Sequence, residues 1–158
     1  MEHAVALIGL LYLPLAVMSF LLVADIAARR HVQIAERFMS GYMQSSPAAK
    51  GAALAMSMAA AIHFSMVFTH YAGDTTLAVL FAGYAVTVAL LCVGLFLARR
   101  AVVFAAVVMV SGLLGYALFV ATGREVVDTI GLTSKLIEGA ALLLLISMIP
   151  GKKEVIYA

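Results

Sequence analysis

Tryptophan is absent from this chain, cysteine occurs once, proline occurs three times, and charged side chains make up only 11% of the 158 residues. The single cysteine, Cys92, lies in an apolar segment, so an intrachain disulfide, a CxxC redox pair and a cysteine-based zinc knuckle are all excluded. An ordinary soluble domain is about 25% charged. The net charge of only +2 is too small to imply a nucleic-acid or polyanion partner, and its distribution matters more than its sum. Also missing are a Ser/His/Asp elbow, a phosphate loop, an HExxH helix and a carboxylate-rich metal box, which argues against a stand-alone hydrolase or transferase. No internal repeat is evident.

What fills the chain is hydrocarbon: 65% of residues are hydrophobic and the mean hydropathy is +1.13. These values predict an all-α integral membrane protein forming one polytopic domain over 1–158, with the lipid bilayer as its first partner. Five segments, 5–27, 52–71, 76–98, 102–121 and 132–149, approach the ~20 apolar residues that ~30 Å of hydrocarbon demands. Short connections predict an antiparallel bundle. The first stretch follows Met1-Glu2-His3 without a basic region or a small-residue cleavage pattern, so it reads as a retained helix.

Lysine and arginine assign the sides. Arg29, Arg30, Arg37 and Lys50 lie between the first two spans, Arg99 and Arg100 between the third and fourth, and Lys152 and Lys153 after the fifth. With five spans all three loci share one side, which predicts a multi-pass cell-membrane protein with its N-terminus outside and its C-terminus cytoplasmic. Four or six spans break that pattern. Segment 29–46 reads as an amphipathic helix along the inner interface, with Val32, Ala35, Met39, Tyr42 and Met43 on one face and Arg29, Arg30, Gln33, Arg37 and Ser40 on the other. The alternative is that the first helix simply runs on into the cytoplasm. Ser46-Pro47 suits the start of the second span, and Asp74 suits a cap for the third. Gly83 with Thr87, and Ser111 with Gly115, suit close helix packing, although such residues also leave room for a ligand.

Polar groups inside the spans mark where chemistry can reside. Met56, Ala60, His63, Val67, His70 and Asp74 fall on one stripe of the second span, with Met66 at its edge. An ionisable side chain in a bilayer normally faces the bundle or a wet cavity and has a partner, which makes His63 the central candidate. The plain alternative is a histidine satisfied by a neighbouring helix. His63 and His70, seven residues and ~10.5 Å apart along the axis, cannot both ligate one haem iron. A haem on His63 then needs a second ligand, for which Met109 or Met18 is the candidate, or a second copy of His63 across a twofold axis. His63 and Met66, with Met56, also suit Cu(I), although methionine in an apolar helix is more often filler. Tyr84 and Tyr116 can face inward or belong to an aromatic belt. Glu138 either pairs with Lys135 at the interface or points into the bundle, where a carboxyl in low dielectric suits proton transfer.

Three functions follow as expectations. The first is a small subunit of a membrane electron-transfer complex, binding haem b or quinone through His63, His70, Met109 and Tyr84. The second is a proton- or cation-coupled transporter using Glu138, His63 and Asp74. The third is a non-catalytic accessory subunit packed against other membrane subunits or a second copy of the chain.

Overall fold

The computed structural model describes residues 2–69, 71, 73–124 and 127–149, and of residues 2–15 the backbone alone. Among the described residues there are six helices and no strand: α1 Glu2–Arg29, α2 Gln33–Gln44, α3 Pro47–Thr69, α4 Thr75–Leu97, α5 Ala101–Ala121 and α6 Thr129–Ser147. The last four are long and apolar enough to cross a membrane, and their outward residues, such as Leu90, Phe104, Leu114 and Leu143, are largely exposed as lipid contact requires. The expected first span, 5–27, lies within α1.

Local chemistry sets where these helices begin. The Ser46 hydroxyl accepts a bond from the Ala49 amide at 3.2 Å and Pro47 fits the first turn, so α3 starts at Ser46-Pro47 as expected, five residues before the apolar segment at 52. Asp74 accepts from the Leu77 amide at 3.0 Å and caps α4, as anticipated. Asp128 does the same for α6 through the Gly131 amide at 2.6 Å, moving its start from 132 to Thr129.

Helix α3 is the centre of the bundle and packs on α1, α4 and α6. Its buried face is largely alanine, Ala49, Ala52, Ala53, Ala59 and Ala60, which lets its neighbours approach closely. Met56, Val88, Met109 and Leu145 fill the core where these helices meet.

The chain turns sharply between α1 and α2, where His31 takes a left-handed backbone (φ 60°), so α1 does not continue into α2. The buried face of α2 differs from expectation. Ala35 is buried as expected, but Phe38, which is not on the expected face, is buried too, whereas Met43 and Val32 are exposed. The reason is an aromatic cluster: the Phe38 ring meets Phe20 at 5.4 Å and Phe96 at 5.5 Å, and Tyr42 meets Phe96 at 5.3 Å. These contacts rotate α2 so that Phe38 is its anchor. Gly41 makes the docking possible, because any Cβ there would overlap the Phe96 backbone carbonyl. Gly41→Ala is expected to cost about 1–3 kcal/mol through overpacking and to loosen α2. Amide exchange over 33–44 should accelerate while α3 stays protected; unchanged exchange in α2 contradicts this.

Candidate functional site

The stripe on α3 behaves as its spacing suggests, with Met56, Ala60, His63 and Met66 all buried. His63 is 5% exposed. Its Nδ1 lies 2.9 Å from the Ala59 carbonyl. A carbonyl only accepts, so Nδ1 carries the proton and Nε2 is the acceptor of the neutral ring. Nε2 faces the Lys135 ammonium at 3.5 Å and Glu138 Oε1 at 3.4 Å.

Lys135 and Glu138 come from α6, whose buried stripe runs Gly131, Ser134, Glu138, Ala141, Leu145 at spacings of three and four. Lys135 donates to Glu138 Oε1 at 2.7 Å, and the Ser134 hydroxyl donates to the same oxygen at 3.4 Å. The two expectations for Glu138 therefore hold at once: it pairs with Lys135 and it points into the bundle. Its side chain is 0% exposed against 13% for Lys135, so this is no weak interfacial pair. The ammonium bridges a carboxylate and an imidazole.

Aromatic rings close the cluster. Tyr84 of α4 tilts against His63 at 4.6 Å and Phe81 stacks on it at 5.3 Å. Lys135 also sits over the rings of Tyr84 and Tyr116, at 6.0 and 5.5 Å. The Tyr84 hydroxyl and Glu138 Oε2 lie within electrostatic reach of each other, yet neither has a partner in good hydrogen-bond geometry. Both crowd Gly112 of α5. A Cβ at that position would strike the Tyr84 hydroxyl and stand 3.0 Å from Glu138 Oε2.

Beside this cluster lies a cavity of about 410 Å³ bounded by α3, α4, α5 and α6. His63, Tyr84, Tyr116, Ser134 and Lys135 supply polar groups to a wall that is otherwise mostly apolar. Exposed Leu80 and Thr87 on α4 and exposed Ser111 on α5 also line it, so it opens between α4 and α5 on the lipid-facing surface. Here the close-packing expectation for the small residues is corrected. Nothing lies within 4 Å of a Cβ built on Gly83 or Gly115. Thr87 and Ser111 turn their hydroxyls back onto the carbonyls of Gly83 and Val107. Thr87, Ser111 and Gly115 line the gap between α4 and α5 rather than a helix contact, and Gly83 is exposed outside it.

The other anticipated residues scatter. Met66 lines the cavity with His63. Met109 is buried in the core cluster with Met56, which stands seven residues and ~10.5 Å along α3 from His63, and it does not reach the cavity. Met18 is 66% exposed on α1. Asp74 is an exposed cap and joins neither His63 nor Glu138. His70 lies outside the described residues. Sequence reasoning missed Ser134, Phe81 and Gly112, and of these only Ser134 carried a signal, its place on the α6 stripe.

No family model, curated protein or solved structure matches the chain.

Proposed function

We propose that the chain is an integral subunit of a membrane electron-transfer complex and that the cavity beside His63 receives a quinone headgroup. The observation that carries this reading is a buried ammonium–carboxylate–imidazole cluster of which Lys135 and His63 line a mostly apolar cavity that opens toward lipid, with the Glu138 carboxylate behind them. A volume of about 410 Å³ falls within the ~300–1,000 Å³ usual for small-molecule pockets. A quinone carbonyl needs a hydrogen-bond donor, which Lys135 and Tyr84 offer, and its isoprenoid tail needs an apolar exit, which the gap between α4 and α5 offers. Reduction to the quinol takes two electrons and two protons. The electrons come from a partner subunit bearing a haem or iron–sulfur centre, and the protons pass through Lys135, Glu138 and His63. Quinone fits better than a haem on His63, because both ring nitrogens already face partners and a haem ligand would have to surrender Nε2.

In the accompanying topology α1 also spans, its 28 residues giving ~42 Å of helix. Five spans put the N-terminus outside the cell membrane, the basic connections and the C-terminus inside, and the quinone site in the outer half. With no tryptophan in the chain, emission comes from six tyrosines, of which Tyr71, Tyr84 and Tyr116 line the cavity. A short-tailed ubiquinone titrated into protein in nanodiscs should quench it saturably. His63→Ala and the gentler Tyr84→Phe should each weaken that quenching about tenfold or more, the first by removing the imidazole that faces Lys135 and packs on Tyr84, the second by removing a donor to the quinone carbonyl. Quenching that never saturates in the wild type overturns the proposal.

A transporter remains the second reading, favoured by the complete burial of Glu138 beside His63. It requires Glu138→Gln to abolish proton or cation flux into liposomes, and a wild type without flux dismisses it.

A further inference from the structure

A second groove, of about 630 Å³, lies at the opposite end of the bundle between α1, α2, α3 and α4. Its walls are hydrocarbon and aromatic, with Val17, Phe20, Leu21, Leu54 and Phe96 prominent. The hydroxyl of Ser57 is already bonded to the Ala53 carbonyl at 2.8 Å, so the interior offers little to a polar guest. One charged residue lines the groove, Lys50 in the first turn of α3. Its ammonium stands over the Tyr42 ring at 5.0 Å, and among the described residues no carboxylate forms an ion pair with it.

The surrounding charge is one-sided. Arg29, Arg30, Arg37, Lys50, Arg99 and Arg100 gather at this end against Asp25 and Glu36, an excess of four positive charges. Both acids are engaged, Asp25 with Arg29 at 2.8 Å and Glu36 with His31 at 3.1 Å. Basic helix ends mark the depth at which lipid headgroups lie. A deep apolar slot with one free ammonium at its mouth, inside a cationic rim, has the form of a lipid: hydrocarbon below and an anion above.

We propose that this groove is a binding site for an anionic phospholipid, with an acyl chain between α1 and α4 and the phosphate on Lys50. A phosphatidylcholine headgroup adds a cation that the rim repels, so the anionic lipid is preferred. This site shares no lining residue with the cavity beside His63 and stands whether or not that cavity binds quinone.

The test uses the full chain reconstituted with spin-labelled phosphatidylglycerol or phosphatidylcholine, reading the motionally restricted fraction by electron paramagnetic resonance. The wild type should favour phosphatidylglycerol about fivefold, the effect of one lysine near the headgroup region. Lys50→Gln should bring the two lipids close to parity. Ala89→Phe, which fills the groove from an exposed position on α4, should weaken both. Arg99→Gln, on the rim but outside the groove, should change little. Equal association of both lipids with the wild type overturns the proposal. So do equal losses in Lys50→Gln and Arg99→Gln, which signify diffuse attraction to the basic end. Unchanged thermal unfolding of each variant separates loss of binding from loss of fold.

Discussion

Lys135→Met is expected to destabilise the bundle by about 3–5 kcal/mol, and adding Glu138→Met to the same chain is expected to recover most of that loss. The single change strands a carboxylate that is 0% exposed, leaving it the Ser134 hydroxyl and the neutral His63 ring, both at 3.4 Å. An uncompensated charge at such a site either remains at high cost or takes up a proton, and both outcomes spend folding free energy. The double change removes both charges and leaves two flexible apolar side chains of similar length, a replacement that is often neutral or stabilising. Glu138→Met alone should cost less than Lys135→Met alone, because the lysine retains 13% exposure and a flexible stem able to carry its ammonium toward the cavity. Thermal unfolding of the four proteins in one detergent closes the double-mutant cycle. Additive losses contradict a coupled pair, since they mean that the two side chains act independently.

The same double variant separates structure from function. If the pair existed only to hold α6 in register, the stable double variant should bind quinone as the wild type does. If the pair serves the headgroup, the double variant folds and fails to bind.

Gly112→Leu is expected to abolish ligand binding at the cavity, by more than about a hundredfold, with a smaller effect on the fold. The Tyr84 hydroxyl and Glu138 Oε2 occupy the space beside Gly112, and on the cavity side Gly112 is itself part of the lining. A leucine there displaces the Tyr84 ring from His63, to which it stands at 4.6 Å, and fills the volume that a headgroup requires. Losing the Tyr84 hydrogen bond and the space together accounts for an effect of about 3 kcal/mol or more. Gly112→Ala should fall between leucine and wild type, because only the end of the Tyr84 side chain must give way. A leucine variant that still quenches tyrosine emission at wild-type concentrations of ubiquinone places the ligand elsewhere.

Much of this arrangement is legible in the amino-acid sequence. Ser46-Pro47 and Asp74 announce helix starts by chemistry that needs no tertiary context. His63 and Glu138 stand out because a polar group in lipid must find a partner inside the bundle. The identity of those partners is less legible. Helices α4 and α5 are apolar on every face, so the 3.6-residue period that reveals the inner side of a soluble helix fades. Small residues then serve as the signal, and they are ambiguous: Gly115 and Ser111 frame a gap although their spacing suits contact, whereas Gly112 between them holds the close approach. Likewise α2 has a clear apolar face, yet its rotation is decided by Phe20 and Phe96 on other helices. Periodicity fixes an angle around an axis and leaves open what meets it.

The most direct test of the central claim is photolabelling of the protein in nanodiscs with an azidoquinone, followed by mass-spectrometric mapping of the modified peptides. Labelling concentrated on residues 80–87, 108–119 and 131–135, and suppressed by excess unlabelled quinone, is the predicted result. Labelling spread over the lipid-facing surface, or undiminished by the competitor, contradicts a quinone site beside His63.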